Sequence, residues 1–326
     1  MNVRFTRWQK MGLGFAIVLT AFALLNASWL APKPKGRLML VAHRGVAQQF
    51  DREGVDNETC TATRIRPSPH KFIENTLPSM AAAIDRGANA IEIDVHPTKD
   101  GQMVVFHDWR LDCRTNGKGV VRQKTWAELE GLDVGYGYTW DGGKTFPMRG
   151  RGIGQMPKLE EVLKAYPRLP LVINFKSRDP RDADVLLAAF ARAGKQVDGK
   201  YSFYGHPNVL KRLKSRVPTA WTWHKDEMKA CLKDYVKLGW TGFVPESCRD
   251  TTVAVPLNYQ WAIWGWPNRF LDRMAGANTK VIMLGDYEDG SVTGIERPEQ
   301  LGEVPRDFRG YVWVEDIWEV GPALQR

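Results

Sequence analysis

After residue 38 the apolar and polar positions fall into two alternating rhythms. Short apolar runs recur at 38–42, 90–95, 103–106, 171–175, 240–244, 281–284 and 311–314, each bounded by turn residues, and these are predicted strands. Between them, apolar residues return at helical spacing over 77–86, 159–165, 183–193, 208–214, 227–238 and 268–274. Strands alternating with helices are the pattern of parallel strands joined by crossovers. The number of units predicts an α/β fold of the (β/α)8 TIM-barrel class rather than two separate sheets.

Two stretches break the rhythm. Residues 46–72 are polar, contain Cys60, Pro67 and Pro69, and predict a long loop above the first strand. Residues 110–156 are rich in glycine, from Gly117 and Gly119 to Gly152 and Gly154, and predict an inserted lobe. Neither stretch shows the apolar pattern of a second core.

The N-terminal part follows a different rule. Residues 11–31 carry no charge and are long enough to cross the hydrocarbon layer of a membrane as one helix. The expected organisation is a short tail at 1–10, a transmembrane segment at 11–31 and a barrel over 32–326 with an insertion at about 110–156. Arg4, Arg7 and Lys10 precede the apolar segment, as in both signal peptides and signal anchors. Ala27 has Leu25 two positions before it and Ala31 has Trp29, so neither offers the A-x-A pattern of a cleavage site; an uncleaved anchor is favoured. Lys33, Lys35 and Arg37 balance the cations on the near side, so charge does not set the orientation.

The cysteines bear on the compartment. Cys60, Cys113, Cys231 and Cys248 allow three pairings, of which Cys60 with Cys113 and Cys231 with Cys248 keeps each loop-rich segment local. Such pairs would suit an oxidising, exported location. The alternative is four unrelated buried thiols. Composition narrows the remaining classes: 326 residues at 43% hydrophobic content suffice for a large core, so disorder is not the default. Lys and Arg number 46 against 37 Asp and Glu, an excess suited to phosphate-bearing substrates or an anionic bilayer. The cations are scattered among acids, which argues against nucleic acid as a partner.

Four predicted strands end in polar residues, where barrel enzymes build active sites. The first ends in His43 and Arg44, the third at His107. On the second, Ile-Glu-Ile-Asp-Val, the period of two sets Glu92 and Asp94 on one face; on the fourth it groups Asn174 with Lys176. Two carboxylates on one face repel unless a cation lies between them, and oxygen ligands select Ca2+ or Mg2+. Hydrolysis of a phosphodiester needs a base, an acid and positive charge on the phosphoryl oxygens. Two histidines, a metal, Arg44 and Lys176 supply that set. A Glu-x-Asp pair or a single histidine is more often structural; the combination shifts the reading to function.

The strings His43-Arg44-Gly45, Glu74-Asn75-Thr76, Gly87 through Val95, Thr98-Lys99-Asp100-Gly101 and His107-Asp108 resemble, in order, the glycerophosphodiester phosphodiesterase family. The resemblance is clear over residues 38 to about 122 and weaker over 171–176, 201–218 and 310–322. It implies a (β/α)8 barrel, hydrolysis to sn-glycerol 3-phosphate and an alcohol, and a divalent cation, Ca2+ or Mg2+. By motif position it implies acid/base roles for His43 and His107, in either order, and metal ligation by Glu92 and Asp94. It also implies phosphate contact by Arg44 and Lys176, with Glu74 orienting Arg44 or approaching the metal. The expected substrate is a small glycerophosphodiester or a lysolipid, and the expected location a cell membrane, single-pass, with the catalytic part on the periplasmic or extracellular side. A lyase releasing a cyclic phosphate and a weakly active phosphodiester-binding module are the alternatives.

One position departs from the pattern. Where the family reads Glu-x-Lys on the fourth strand, this chain has Asn174-Phe175-Lys176, so an amide replaces a carboxylate in the expected metal set of Glu92, Asp94 and Asn174. The site loses a negative charge and should hold a cation more weakly. Glu246 is a candidate substitute, against the ordinary reading of an exposed loop glutamate. Trp221 with Trp223, and Trp261 with Trp264 and Trp266, could wall a lipid or sugar moiety; packing is the favoured reading.

Overall fold

The computed structural model describes residues 6–56, 59–288 and 290–324; Arg4 and the rest of the first five residues lie outside it. The chain divides into two compact units.

The larger unit is drawn from Met39–Lys225, Thr293–Gly302 and Val312–Arg326. It holds strands β1 (Met39–His43), β2 (Ala90–Pro97), β3 (Met103–Val105), β4 (Leu171–Phe175), β5 (Tyr201–Tyr204) and β6 (Trp221–Trp223). Helices α2 (Leu77–Asp85), α3 (Trp126–Leu129), α4 (Leu159–Ala165), α5 (Asp182–Arg192) and α6 (Pro207–Arg216) lie between or beside them. The smaller unit contains α1 (Arg7–Asn26), α7 (Lys225–Leu238), β7 (Thr252–Pro256), α8 (Asn268–Gly276), β8 (Lys280–Leu284) and the hairpin β9 (Tyr287–Glu288) and β10 (Ser291–Val292). β11 (Tyr311–Val314) and α9 (Ile317–Leu324) close the series. Seven of the eight strands expected of a (β/α)8 barrel lead into an α-helix, whereas β8 is followed by the β9–β10 hairpin and a 3-10 turn before β11; β3 pairs antiparallel with β2 after a Thr98–Gly101 turn.

Register in the larger unit sets the functional rows. β1 and β2 run parallel with His43 opposite Glu92. Across β2, β4, β5 and β6 the register places Asp94, Asn174, Tyr204 and Trp223 in one line. Cross-strand partners share a face, so the line presents a carboxylate, an amide, a phenol and an indole side by side. β2 is buried along its whole length, which explains its near-continuous apolar reading between the two acids.

Three expectations are corrected. Residues 240–244 form no strand: Gly239–Thr241 is a 3-10 turn that Gly242 ends at φ +84°, and the strand comes later at β7. The apolar helix covers Arg7–Asn26 rather than 11–31, since Thr6 and Gln9 form a capping box ahead of it and Ala27 turns extended. The two irregular stretches do share a core: Ala62 and Ile65 pack with Leu111, Val121, Leu129, Tyr138 and Met148 beside Val104 and Phe106. Each loop alone shows too few apolar positions to register as a core, but face to face they bury a common one. The Cys60–Cys113 disulfide joins them, and Cys231–Cys248 ties α7 to the turn at Glu246–Cys248, so both pairings are the expected ones.

Candidate active site

The turn after β1 sets the first group of side chains. Arg44 adopts φ +61° and Gly45 φ +77°, and a Cβ on Gly45 would stand 2.7 Å from Ser79 Oγ, so only glycine fits there. A left-handed arginine is a strained choice that surrounding contacts must hold. Arg44 N–H donates to the Glu92 carbonyl at 3.0 Å, and Asn75 N–H to the Arg44 carbonyl at 2.9 Å. The Arg44 guanidinium then lies between two acids, donating to Glu74 Oε1 at 3.0 Å and standing 3.2 Å from Asp94 Oδ2.

Each histidine is gripped at Nδ1. His43 Nδ1 is 2.5 Å from Glu315 Oε2, at the end of β11, and His107 Nδ1 is 2.6 Å from Asp108 Oδ1. This fixes the Nδ1–H tautomer and leaves each Nε2 for chemistry. Burial works against a charged His43, but the charge and hydrogen bond of Glu315 offset it and leave this imidazole above its ordinary value of 6.5. Burial and then the Arg44 charge hold His107 down at about 4. The two imidazoles are thereby biased to opposite protonation states. Arg52 approaches Glu315 at 3.6 Å and donates to Glu296, fixing the far side of the His43 pair.

Glu92 and Asp94 are buried and differ in what surrounds them. Asp94 accepts from Asn75 Nδ2 at 3.0 Å and Asn174 Nδ2 at 2.8 Å, and lies 3.5 Å from Lys176 Nζ. Burial raises its pKa, yet Lys176, His107 and Arg44 outweigh this and keep it ionised, well below the usual carboxylate range. Glu92 has one donor, Tyr204 Oη at 2.6 Å; its Oε2 has no hydrogen-bond partner and stands 3.8 Å from His43 Nε2. Burial, then the Asp94 charge, pushes this carboxyl upward.

These donors suit a hard cation. A bare buried carboxylate oxygen costs free energy that a cation beside Glu92 and Asp94 would recover. Among the described residues no three His, Cys, Asp or Glu side chains group as a metal cluster, which leaves two carboxylates and the Asn174 amide as the donor set. Asn174 spends its Nδ2 on Asp94, so Oδ1 is the atom with which it would reach a cation.

Glu246 stands apart from this arrangement of acids: its side chain is 90% exposed and pairs with Arg249 at 3.0 Å, an ordinary surface ion pair. Trp223 is buried and stacks on Tyr204 at 4.5 Å and 2°, while Trp313 lies 5.5 Å from the His43 ring and 6.1 Å from Tyr204. Trp266 packs on Phe270 and Phe308, and Trp261 is exposed.

Sequence reasoning missed Glu315, Tyr204, Arg114 and the role of Asp108. Glu315 and Tyr204 do carry a signal, since each ends or directly follows an apolar strand run, like the residues that were found. Arg114 carries none beyond its neighbour Cys113. Buried inside the loop core, it donates to Glu74 Oε2 at 3.2 Å, Tyr138 Oη at 2.8 Å and Thr61 Oγ1 at 2.7 Å, and lies 3.0 Å from Asp108. The Cys60–Cys113 bridge thus braces a chain of contacts running through Arg114 to Glu74 and Arg44 on one branch and to Asp108 and His107 on the other.

Comparison with known proteins bears on this geometry. Residues 43–186 match the sequence profile described as the Glycerophosphoryl diester phosphodiesterase family. A glycerophosphodiester phosphodiesterase of Bacillus altitudinis is 37% identical over 147 residues, 45% of this chain and 47% of that protein. The matched segments span from 26% to 47% of the length of such curated relatives. In fold, the chain resembles a glycerophosphodiester phosphodiesterase from Agrobacterium tumefaciens (TM-score 0.56, 20% identity, 88% of this chain and 99% of that one). It also resembles an Oleispira antarctica phosphodiesterase in complex with the product sn-glycerol-3-phosphate (TM-score 0.57, 16% identity, 92% and 100%).

Proposed function

We propose that this chain, whose residues 43–186 match the glycerophosphodiester phosphodiesterase family, hydrolyses glycerophosphodiesters to sn-glycerol 3-phosphate and an alcohol, with His43 as acid and His107 as base. The observation that carries this reading is the pair of imidazoles, each held at Nδ1 by a carboxylate, across a cluster of Arg44, Lys176 and Asp94. His107, kept neutral, takes a proton on Nε2 from the attacking water, whose oxygen bonds to phosphorus as the phosphorus–oxygen bond to the alcohol breaks. His43, kept protonated by Glu315, delivers its Nε2 proton to the departing alkoxide. Arg44 and Lys176 bind the phosphoryl oxygens, and Glu74 orients Arg44.

Glu92, Asp94 and Asn174 would hold a divalent cation, Ca2+ or Mg2+, whose charge would further offset that of the phosphodiester. The Oleispira relative's product supports a glycerol 3-phosphate moiety as the retained half of the substrate. Among the described residues one helix, α1, is long and apolar enough to cross a membrane. Leu25 and Trp29, two positions before Ala27 and Ala31, support an uncleaved anchor, and the two disulfides support a catalytic part on the exported side.

The test is incubation with glycerophosphocholine and glycerophosphoglycerol, with and without chelator, while glycerol 3-phosphate is assayed. Wild type should release it, and His107→Ala should not. Equal release by both would refute the mechanism.

A further inference from the structure

The end of α1 is built into the smaller unit. Arg273 donates to the Leu25 carbonyl at 3.0 Å and Asn26 Oδ1 at 3.2 Å, and the same guanidinium reaches the Gly239 carbonyl and Tyr235 Oη. Asn26 Nδ2 donates to the Trp240 carbonyl at 2.8 Å, and Ser28 Oγ accepts from Asn268 N–H at 2.9 Å. Carbonyls and side chains at a helix end that a membrane helix would otherwise leave bare are thus met by the unit itself. Ala27 and Ala31 are buried, whereas Phe15, Ile17 and Val18 farther back along the helix are exposed.

The turn beside this end is apolar and open. Val236, Leu238, Trp240 and Phe243 are all exposed, and the Trp240 ring packs against Phe22 at 6.1 Å. Phe22 lies four residues inside the helix end, about 6 Å of rise, so whatever touches it sits at that depth of a spanned bilayer. Lys225, Lys229, Lys233 and Lys237 recur every fourth residue on α7 and are exposed, a cationic stripe leading to Trp240.

We propose that residues 236–243 seat in the interfacial layer of the bilayer that α1 crosses, with Trp240 and Phe243 as anchors and the lysine stripe against anionic headgroups. The inference rests on reading α1 as a membrane span. Two features select a lipid surface over a protein partner. The open turn is continuous with the lipid-facing helix through the Phe22 contact, and an indole beside a line of cations matches the aromatic and basic belt of a membrane interface.

The experiment uses the full chain in vesicles of phosphatidylcholine with or without phosphatidylglycerol. Because the native cysteines are paired, one introduced cysteine takes an environment-sensitive fluorophore. Labels at Phe243→Cys and Val18→Cys should lose most of their emission to nitroxide-bearing lipids, and a label at the exposed Gly199→Cys should not. Reversing Lys229, Lys233 and Lys237 to glutamate should weaken quenching at 243 in anionic vesicles while leaving 18 unchanged. Quenching at 18 without quenching at 243 overturns the seat and leaves the span standing; no quenching at 18 overturns both. A label at 243 shielded only in a particle of doubled mass would assign the face to a second copy of the chain, and an indifferent lysine triple variant would refute the headgroup contact.

Discussion

Asn174→Glu tests the position at which an amide stands in place of the glutamate that the family resemblance implies. Asn174 Nδ2 donates to Asp94 Oδ1 at 2.8 Å, so the substitution removes a donor and sets a second carboxylate against an ionised one. Two unit charges about 4 Å apart repel by about 4 kcal/mol at an effective dielectric near 20. Lys176 and Arg44 already flank Asp94 and absorb part of this, so the expected loss of stability without a divalent ion is about 1–3 kcal/mol. A cation between the carboxylates converts the repulsion into ligation. Ca2+ should therefore bind the variant roughly 10–100-fold more tightly, at about 1.4 kcal/mol per tenfold. Thermal unfolding in chelator and then in stepwise Ca2+ or Mg2+, with titration calorimetry, measures both effects. The variant should melt lower than wild type in chelator and gain more from the ion. Equal ion-dependent gains would show that residue 174 does not face the cation, and a variant uniformly less stable at all ion concentrations would show that it only repels Asp94.

His43→Ala and His107→Ala should each lower kcat by roughly 10²–10⁴-fold with the far-ultraviolet circular dichroism unchanged; a smaller loss at either would remove that residue from acid/base work. With an acid raised above 6.5 and a base held at about 4, kcat/KM should fall on the acid side near pH 4 as His107 gains a proton, and on the alkaline side as His43 loses one. Glu315→Gln should move the alkaline limb to lower pH and reduce kcat with little change in KM, whereas an unmoved limb would show that Glu315 does not govern the charge of His43. Removing the Cys60–Cys113 bridge, which closes a separation of 53 residues, should cost about 4 kcal/mol by loop entropy, read as a lower denaturant midpoint for the double alanine variant. A midpoint within error of wild type would show that the loop core holds without it.

Much of this arrangement was legible because strand periodicity and strand ends are local properties. Ile-Glu-Ile-Asp-Val must set its acids on one face whatever packs around it, and His43, His107 and Lys176 announce themselves by ending apolar runs. The run at 240–244 misled for a local reason as well. Its apolar residues are open to solvent and Gly242 turns the chain, and neither fact is visible in hydrophobicity alone.

The sequence by itself therefore determined the barrel class, the apolar N-terminal helix and the residue types of the site, since each follows from patterns within a few residues. Tertiary structure decided the rest. Glu315 stands 272 residues from His43, and Arg114 stands 40 from Glu74. Only the register of parallel strands and the shared core of two loops bring such groups within hydrogen-bonding distance. The physical reason is that a side chain's protonation state and orientation are set by neighbours in space, and those neighbours exist only once the chain has folded.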